Sequence, residues 1–196
     1  MNPFSRAASD GDDGSFDDWA EFVPASVPEP GPFLDGHDVL AGEDHVAFHE
    51  VTREVFEERG VYDATFGYNL ARLNLDRRHP DAGYRYAVDA DDPAVLRAEF
   101  TPTTPFCPQA AALAKGSFRA WNGLADRHGY DLVRVRVHPS HHRAAAVESD
   151  LADLEAEALE SGLDDAALDS LTPDPTAGVA AANEGDDSTD GEGSPF

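Results

Sequence analysis

Residues 98–113 read AEFTPTTPFCPQAAAL, which predicts the end of a strand, a proline-rich loop and the start of a helix. Pro108 suits the first turn of that helix. Cys107, the single cysteine of the chain, lies where the loop meets the helix. The unpaired N–H groups and the dipole of a helix N-terminus favour a thiolate. The position therefore predicts either a reactive cysteine or a small apolar residue that fills a turn.

Helical spacing of apolar residues recurs before and after this stretch, and short strand-like runs lie between turn signals. The clearest alternation of apolar and polar side chains is LVRVRV over residues 132–137. The predicted helices are 44–59, 108–128 and 144–159, and the predicted strands are 69–75, 84–88, 94–101 and 132–137.

The resulting order, α-β-β-β-α-β-α, predicts a small α+β domain. Its one sheet is expected to be mostly antiparallel or mixed, with helices packed on one face. The opposite face carries Arg134 and Arg136 and is expected to face water.

Charge divides the chain into three parts. The 196 residues include 39 acidic and 14 basic side chains, for a formal net charge of -25. Residues 1–36 carry -7 and residues 148–196 carry -15, so residues 37–147 carry only -3. This division predicts a folded domain over residues 37–160, between an acidic, Pro- and Gly-rich leader and an acidic low-complexity tail over residues 161–196. Leader and tail are both expected to be disordered.

The same charge argues against several functions. Nucleic-acid phosphates and anionic membrane surfaces repel a negative chain, so neither is an expected partner. Thirteen of the fourteen bases are Arg, and an acidic, Lys-poor composition is typical of salt-adapted, halophilic proteins. A single cysteine, with no apolar run long enough for a signal peptide or a membrane span, predicts a cytoplasmic protein.

Four of the aromatic residues in the acidic leader lie among acids and prolines: Phe16, Trp19, Phe22 and Phe33. They fit either a short docking motif for a partner or a leader that packs loosely on the domain.

Two groups of histidines are candidates for metal ligation. His138, His141 and His142 follow the last predicted strand and are expected to cluster near His128, and His45 and His49 lie four apart on the first predicted helix. No cysteine or acid at zinc-like spacing accompanies the first group, which is expected to form an exposed polar turn. Without a third element, His45 and His49 are expected on the surface. The sequence contains no nucleotide-binding motif.

Two stretches resemble a known family. Residues 92–107, DPAVLRAEFTPTTPFC, and residues 135–144, VRVHPSHHRA, are similar to the SufT/PaaD-like family of iron-sulfur cluster assembly proteins, of which the chain looks like a divergent, halophilic member. In that family a strand leads into a Thr-Pro loop ending in a reactive cysteine, and a later turn carries a histidine. The resemblance implies that Cys107 and His142 ligate a cluster or iron transiently. It also implies that a loop shapes the site, comprising Thr101, Pro102, Thr103, Thr104 and Pro105.

This resemblance implies a role in the maturation of iron-sulfur proteins, with assembly factors and client apoproteins as partners. A cluster usually takes four protein ligands, so one Cys107 per chain cannot complete a site, and a homodimer would supply only two thiolates. Two mechanisms remain open: transient ligation during handover, or an adaptor that uses Cys107 at the contact. Neither mechanism is enzymatic, and no resident cofactor is expected.

Two rival functions belong to other classes. A protein-interaction module would keep the fold without the chemistry, and a thiol enzyme would use Cys107 with a histidine within hydrogen-bond reach. Family members carry an Asp-Pro-Glu segment after the first helix. Residues 60–69 lack one, which favours the interaction module over the enzyme. Burial of Cys107 beneath Phe118 or Trp121 would remove both chemical functions.

Overall fold

The computed structural model describes residue 16, residues 27–163 and residues 165–170. Most of the predicted leader, with Trp19 and Phe22, and the predicted tail from residue 171 onward lie outside the described residues.

Within these ranges, short strands and helices form a mixed α+β fold, as the sequence predicted. None of these helices is long and apolar enough to cross a lipid bilayer. The strands are β1 (Asp38–Val39), β2 (Tyr62–Asp63), β3 (Tyr68–Asn69), β4 (Gly83–Val88), β5 (Val95–Thr101) and β6 (Leu132–Val137). The α-helices are α1 (Gly42–Arg59), α2 (Ala110–Gly123), α3 (Ala144–Ser161) and α4 (Asp165–Ser170). Short 3-10 helices occupy Pro32–Leu34, Leu70–Leu75 and Ala125–Arg127.

The main sheet is mixed, with the strand order β1-β4-β5-β6. β4 pairs antiparallel with β1 and β5, whereas β5 and β6 are parallel, with Ala98 opposite Val135 and Phe100 opposite Val137. A parallel pair needs a crossover connection, and α2 supplies it. The carboxyl ends of β5 and β6 therefore lie at the same edge of the sheet.

The amide of Asn122 attaches α2 to β6. Its Nδ2 donates to Val133 O (2.9 Å), and Val133 N donates to Asn122 Oδ1 (2.8 Å). Both residues are buried, so these hydrogen bonds satisfy polar groups that water does not reach. The paired bonds fix the position of α2 along β6.

The core between the sheet and the helices is rich in aromatic residues. Trp121 of α2 is fully buried, and its ring centroid lies 4.8 Å from that of Phe56 in α1 and 5.1 Å from that of Tyr84 in β4. Its indole Nε1 donates to Thr52 Oγ1 (3.3 Å). Large aromatic side chains bury much apolar surface, and this bond satisfies the one polar atom of the indole. The core thus joins α1, α2 and β4.

Residues 69–75 do not form the strand that the sequence predicted. Leu70–Leu75 is a 3-10 helix, and the side chain of Asn69 at its N-terminal end accepts a hydrogen bond from Ala71 N (2.9 Å). Leu70 and Leu73 are both buried, and their spacing of three matches one turn of this helix. β1, which the sequence did not predict, takes the first position in the sheet.

His45 and His49 are buried, so the prediction that they lie on the surface is wrong. His49 Nε2 donates to Ala71 O (2.9 Å), and its Nδ1 accepts from the hydroxyl of Tyr86 (2.9 Å). Burial lowers the pKa of His49 to about 4 and the pKa of His45 to about 3. Both imidazoles are therefore neutral at pH 7 and belong to the core.

Residues 27–36, which we call the strap, lie against the sheet face opposite the core. Gly31 N and Phe33 N donate to the carboxylate of Glu99 on β5 (2.6 and 3.3 Å), and Arg97 Nη1 donates to Phe33 O (3.2 Å). Glu99 is only 1% exposed, so these N–H groups replace the water that its carboxylate would otherwise need. The predicted disorder of the leader is wrong for the strap.

Arg134 and Arg136 do not form the wet face that the alternation predicted. Glu155 of α3 pairs with both, at 3.1 Å from Arg134 Nε and 3.1 Å from Arg136 Nη1. The guanidinium of Arg136 also lies 5.4 Å from the ring centroid of Phe33 in the strap. Glu155 and the strap thus provide partners for the charges on this face, so both arginines are only partly exposed to water.

Two further segments of the predicted flanks contact the domain. Leu168 of α4 is 1% exposed and belongs to the hydrophobic core, so α4, which lies in the predicted tail, packs on the domain. In the leader, the ring of Phe16 lies 4.3 Å from the guanidinium of Arg72 and 5.4 Å from the ring of Tyr68. For Phe16, this favours a leader that packs on the domain.

Gly31→Ala is expected to destabilise the fold by about 1–3 kcal/mol. A Cβ at this position would overlap the His138 ring and the Glu99 carboxylate, and the strap would have to move away and lose its hydrogen bonds to Glu99. Urea unfolding followed by circular dichroism measures the change. Gly116→Ala is the matched control. Its Cβ would meet only Val61 Cγ1, at 4.0 Å, so it should stabilise α2 by about 0.5–1 kcal/mol. Equal stability of Gly31→Ala and wild type would contradict the strap contact.

His49→Gln is expected to flatten the dependence of stability on pH. The folded-state pKa of His49 is lowered to about 4 from 6.5, so its contribution is complete above pH 6.5 and is lost as pH falls toward 4. Over most of that window the wild type should lose about 1.4 kcal/mol of unfolding free energy per pH unit from this residue. Urea unfolding from pH 7.5 to 4.5 tests this. His45 and His128 titrate in both proteins, so parallel curves would refute the assignment to His49.

Candidate functional site

The loops that follow β5 and β6 meet at the carboxyl edge of the sheet. His138 N donates to Phe100 O (2.8 Å), which continues the pairing of the two strands by one residue. His142 N then donates to Pro105 O (2.9 Å), across the two loops. Neighbouring parallel strands of an α/β arrangement open such a crevice at their carboxyl ends, where ligands commonly bind. The topology thus brings the predicted cysteine loop to the predicted histidine turn.

Between these loops and the first turns of α2 and α3 lies a groove of about 350 Å³, which we call the Cys107 groove. The first loop and α2 provide one wall, and the histidine turn and α3 provide the other. Its lining includes Phe106, Cys107, His141, His142, Arg143 and Asp150. Two residues that the sequence analysis selected, Cys107 and His142, therefore lie in the same groove.

Cys107 is a free, half-buried cysteine just before α2. Its backbone is held on both sides: its N–H donates to Thr104 O (3.2 Å), and its carbonyl accepts from Ala110 N (3.4 Å) and from His141 Nε2 (3.1 Å). It touches the edge of the hydrophobic core but also lines the groove. Cys107 is thus not enclosed beneath Phe118 or Trp121, the arrangement that would have removed its chemistry.

His142 is exposed, and a backbone carbonyl fixes its orientation. Its Nδ1 donates to Pro105 O (2.8 Å), so a neutral His142 carries its proton on Nδ1 and keeps a lone pair on Nε2. The ring of Phe106, which is 72% exposed, lies 5.1 Å from the ring of His142. A histidine whose Nδ1–H binds a carbonyl is the usual form of a metal-ligating imidazole.

His141 is buried, which the sequence analysis did not expect. Its Nε2 donates to Cys107 O, and its Nδ1 accepts from Arg143 N (3.4 Å). His141 therefore takes the tautomer opposite to that of His142 and connects the two walls of the groove. Its role is to hold the loop of Cys107 in place. No separate signal in the sequence distinguishes His141 from His142, because adjacent histidines in a turn look alike.

The predicted shaping loop contributes mainly through its backbone. Thr101 ends β5 opposite Gly83, and Pro102 is buried, so these two residues fix where the loop leaves the sheet. The carbonyls of Thr104 and Pro105 receive the hydrogen bonds of Cys107 and His142. Thr103, which follows Pro102 in the sequence, is half-buried. The loop therefore acts as a set of acceptors that orient the two candidate ligands.

The electrostatics of the groove are mixed. The first turns of α2 and α3 carry no acidic residue, and the partial positive charge at both helix ends favours an anion such as a thiolate. Arg143 adds a positive charge at the rim, whereas Asp150 is paired with Lys115 (2.9 Å). Within the described ranges, no three His, Cys, Asp or Glu side chains are grouped so as to hold a metal ion. The groove thus offers two candidate ligands, Cys107 and His142.

Sequence reasoning missed the wall that α3 provides. Arg143 and Asp150 enter the groove because α3 starts directly after the histidine turn. Placing α3 at the groove requires the register between β5 and β6. The alternation of side chains within a single strand does not indicate that register. His128, which the sequence grouped with the histidine turn, instead binds Trp121 O (3.0 Å) at the other end of α2.

A comparison with protein-family models gives one match, described as "Domain of unknown function (DUF7998)", over residues 14–165. No curated protein and no solved structure matches the chain.

The two neighbouring histidines are expected to show opposite neutral tautomers, Nδ1–H for His142 and Nε2–H for His141, because each donates to a different backbone carbonyl. Long-range ¹H–¹⁵N correlation spectra at pH 8 measure this directly. His37, whose Nδ1 accepts from Ala90 N, supplies an internal Nε2–H reference. An Nε2–H form of His142 would show that the contact with Pro105 does not orient this ring.

Proposed function

Because the chain belongs to the DUF7998 family, whose description assigns no activity, we propose a function from the Cys107 groove: the maturation of iron-sulfur proteins. In this proposal the chain is an adaptor that ligates a cluster, or iron, only during handover. The cluster is its cargo and not a resident cofactor. The resemblance of residues 92–107 and 135–144 to SufT/PaaD-like proteins supports the same function.

One observation carries this proposal. The Cys107 groove holds a thiol and an imidazole whose Nε2 lone pair is kept available by the bond from Nδ1 to Pro105 O. Thiolate and imidazole are both established ligands of iron-sulfur clusters. Two ligands are too few to retain a cluster that takes four, so a partner must supply the remainder. An incomplete ligand set suits a protein that must release its cargo.

The surroundings of the groove support a site where another protein binds. Phe106 is 72% exposed, and its contact with the His142 ring places it at the rim. Aromatic residues, Phe among them, are enriched at protein interfaces. The proposed partners are assembly factors and client apoproteins, in a reducing, cytoplasmic setting that keeps the single thiol free.

The exposed Phe106 also favours a second candidate, a protein-interaction module without cluster chemistry. That function needs Phe106 but neither the thiol nor the imidazole. A thiol enzyme remains the third candidate, because His142 Nε2 could act as a base toward a nearby thiol. The three functions differ in which of these side chains they require.

The first test is a strain that carries Cys107→Ala, assayed for aconitase-type activity. Loss of a cluster ligand should lower that activity on the order of tenfold, with an unchanged amount of the variant protein. His142→Gln should lower it as well. His79→Gln is the matched control, because it makes the same change at a histidine that contacts Asp76, remote from the groove.

The outcomes separate the candidates. Unchanged aconitase activity in Cys107→Ala would refute the proposed handover through Cys107. Loss with Phe106→Asp, but not with Cys107→Ala or His142→Gln, would identify the interaction module. A turnover of the purified chain that alkylation of Cys107 abolishes and iron chelation spares would identify a thiol enzyme.

A further inference from the structure

His138 lies between the strap and the Cys107 groove. It is the first residue after β6 and continues the alternation that places Arg134 and Arg136 on the strap side of the sheet. His141 and His142 follow in the same turn and line the groove. His138 is therefore in a position to link the two parts of the molecule.

The strap packs directly on the His138 ring. Gly31 approaches so closely that a Cβ at this position would overlap His138 Cδ2 and both carboxylate oxygens of Glu99. Because Gly31 N and Phe33 N donate to those oxygens, the strap cannot leave the ring without weakening hydrogen bonds that a buried carboxylate needs. The docked strap thus confines the ring on its Cδ2 side.

The other side of the same ring holds the histidine turn. His138 Nδ1 accepts from Ser140 N (3.1 Å) and lies 2.8 Å from Ser140 Oγ. Nδ1 and Cδ2 are both bonded to Cγ and point to opposite sides of the ring. A rotation about the Cβ–Cγ bond that moves one of them away from its contact therefore moves the other as well. The strap and the turn together set the orientation of this ring.

His141 connects the turn to the cysteine. Its backbone N–H donates to His138 O (3.1 Å), and its Nε2 donates to Cys107 O (3.1 Å). The side chain is 4% exposed, so a donor that lost this carbonyl would lose a hydrogen bond that water cannot readily replace. The position of the Cys107 loop thus depends on the position of the turn.

We propose that His138 is a positioning residue, which couples the docking of the strap to the accessibility of Cys107. While the strap is docked, the ring holds the turn and His141 holds the loop of Cys107. When the strap is lifted, the ring can rotate away from Ser140, the turn loosens and the thiol becomes more accessible. The coupling itself needs no iron, whereas its use to control cluster handover by a partner that binds the strap rests on the proposed function.

The strap has a second anchor beside its contact with Glu99. The Phe33 ring lies 4.8 Å from the guanidinium of Arg97 and 5.4 Å from that of Arg136, and Arg97 Nη1 donates to Phe33 O (3.2 Å). A segment held by a few such contacts can open locally while the rest of the domain stays folded. This anchor also provides a way to loosen the strap without touching His138.

The test measures the rate at which iodoacetamide alkylates the folded, full chain. Cys107 is the single cysteine, so the rate reports on this thiol alone. Gly31→Ala should raise the rate about fivefold or more, because the overlap lifts the strap from the ring. Phe33→Ala should raise it through the loss of the arginine contacts. Amide hydrogen exchange of His141 and His142 should become faster in both variants.

Gly129→Ala is the matched control. It makes the same substitution at a φ of 74°, where a Cβ strains the backbone but meets nothing within 4 Å. Gly129 precedes β6, whereas His138 follows it, so the two residues lie at opposite ends of the strand. The control should lower stability and leave the alkylation rate unchanged. An equal rise in this control would attribute the effect to lost stability and refute the coupling.

His138→Ala tests whether the ring transmits the change. It should raise the alkylation rate by itself, and adding Gly31→Ala should raise the rate no further, because the transmitting ring is gone. The proposal fails if both strap variants keep the wild-type rate, or if the effects of Gly31→Ala and His138→Ala multiply. These measurements involve neither a cluster nor a client, so their failure is distinct from unchanged aconitase activity.

Discussion

The parallel pairing of β5 with β6 is the constraint on which the rest of the molecule depends. Parallel neighbours cannot be joined by a hairpin, so the chain must cross over the sheet, and α2 is that crossing. The crossing buries Phe118 and Trp121 against the sheet. It also returns the chain in the direction of β5, so the loops that follow β5 and β6 leave the sheet at the same edge. Cys107 and His142 become neighbours for this reason.

Much of the fold could be predicted because periodicity reports which side of an element is buried. β6 is the clearest case, since its valines and arginines alternate over the whole strand. The failures have a common cause. The conformations of Leu70–Leu75 and β1 depend on the residues that they contact. The strap is held by two backbone N–H groups that donate hydrogen bonds to the carboxylate of Glu99 on β5. Contacts between residues distant in the sequence leave no periodic signal in either partner.

The candidate site was predictable in its chemistry but not in its geometry. The sequence pointed to Cys107 through its prolines and to His142 through the family resemblance, and the structure brings both into one groove. The sequence could not indicate which nitrogen of each imidazole is available, because hydrogen bonds to backbone carbonyls of the opposite loop determine the tautomer.

The strap has a consequence for how the chain is made. Its acceptor, Glu99, lies 68 residues after Gly31, so a ribosome releases the strap well before β5 exists. Closing this loop has an entropic cost, which contacts formed after β5 has joined the sheet must offset. The segment synthesised early is therefore expected to dock late, onto a face that β5, β6 and α3 have already assembled. One of the first segments of this domain to be synthesised would then be among the last to dock.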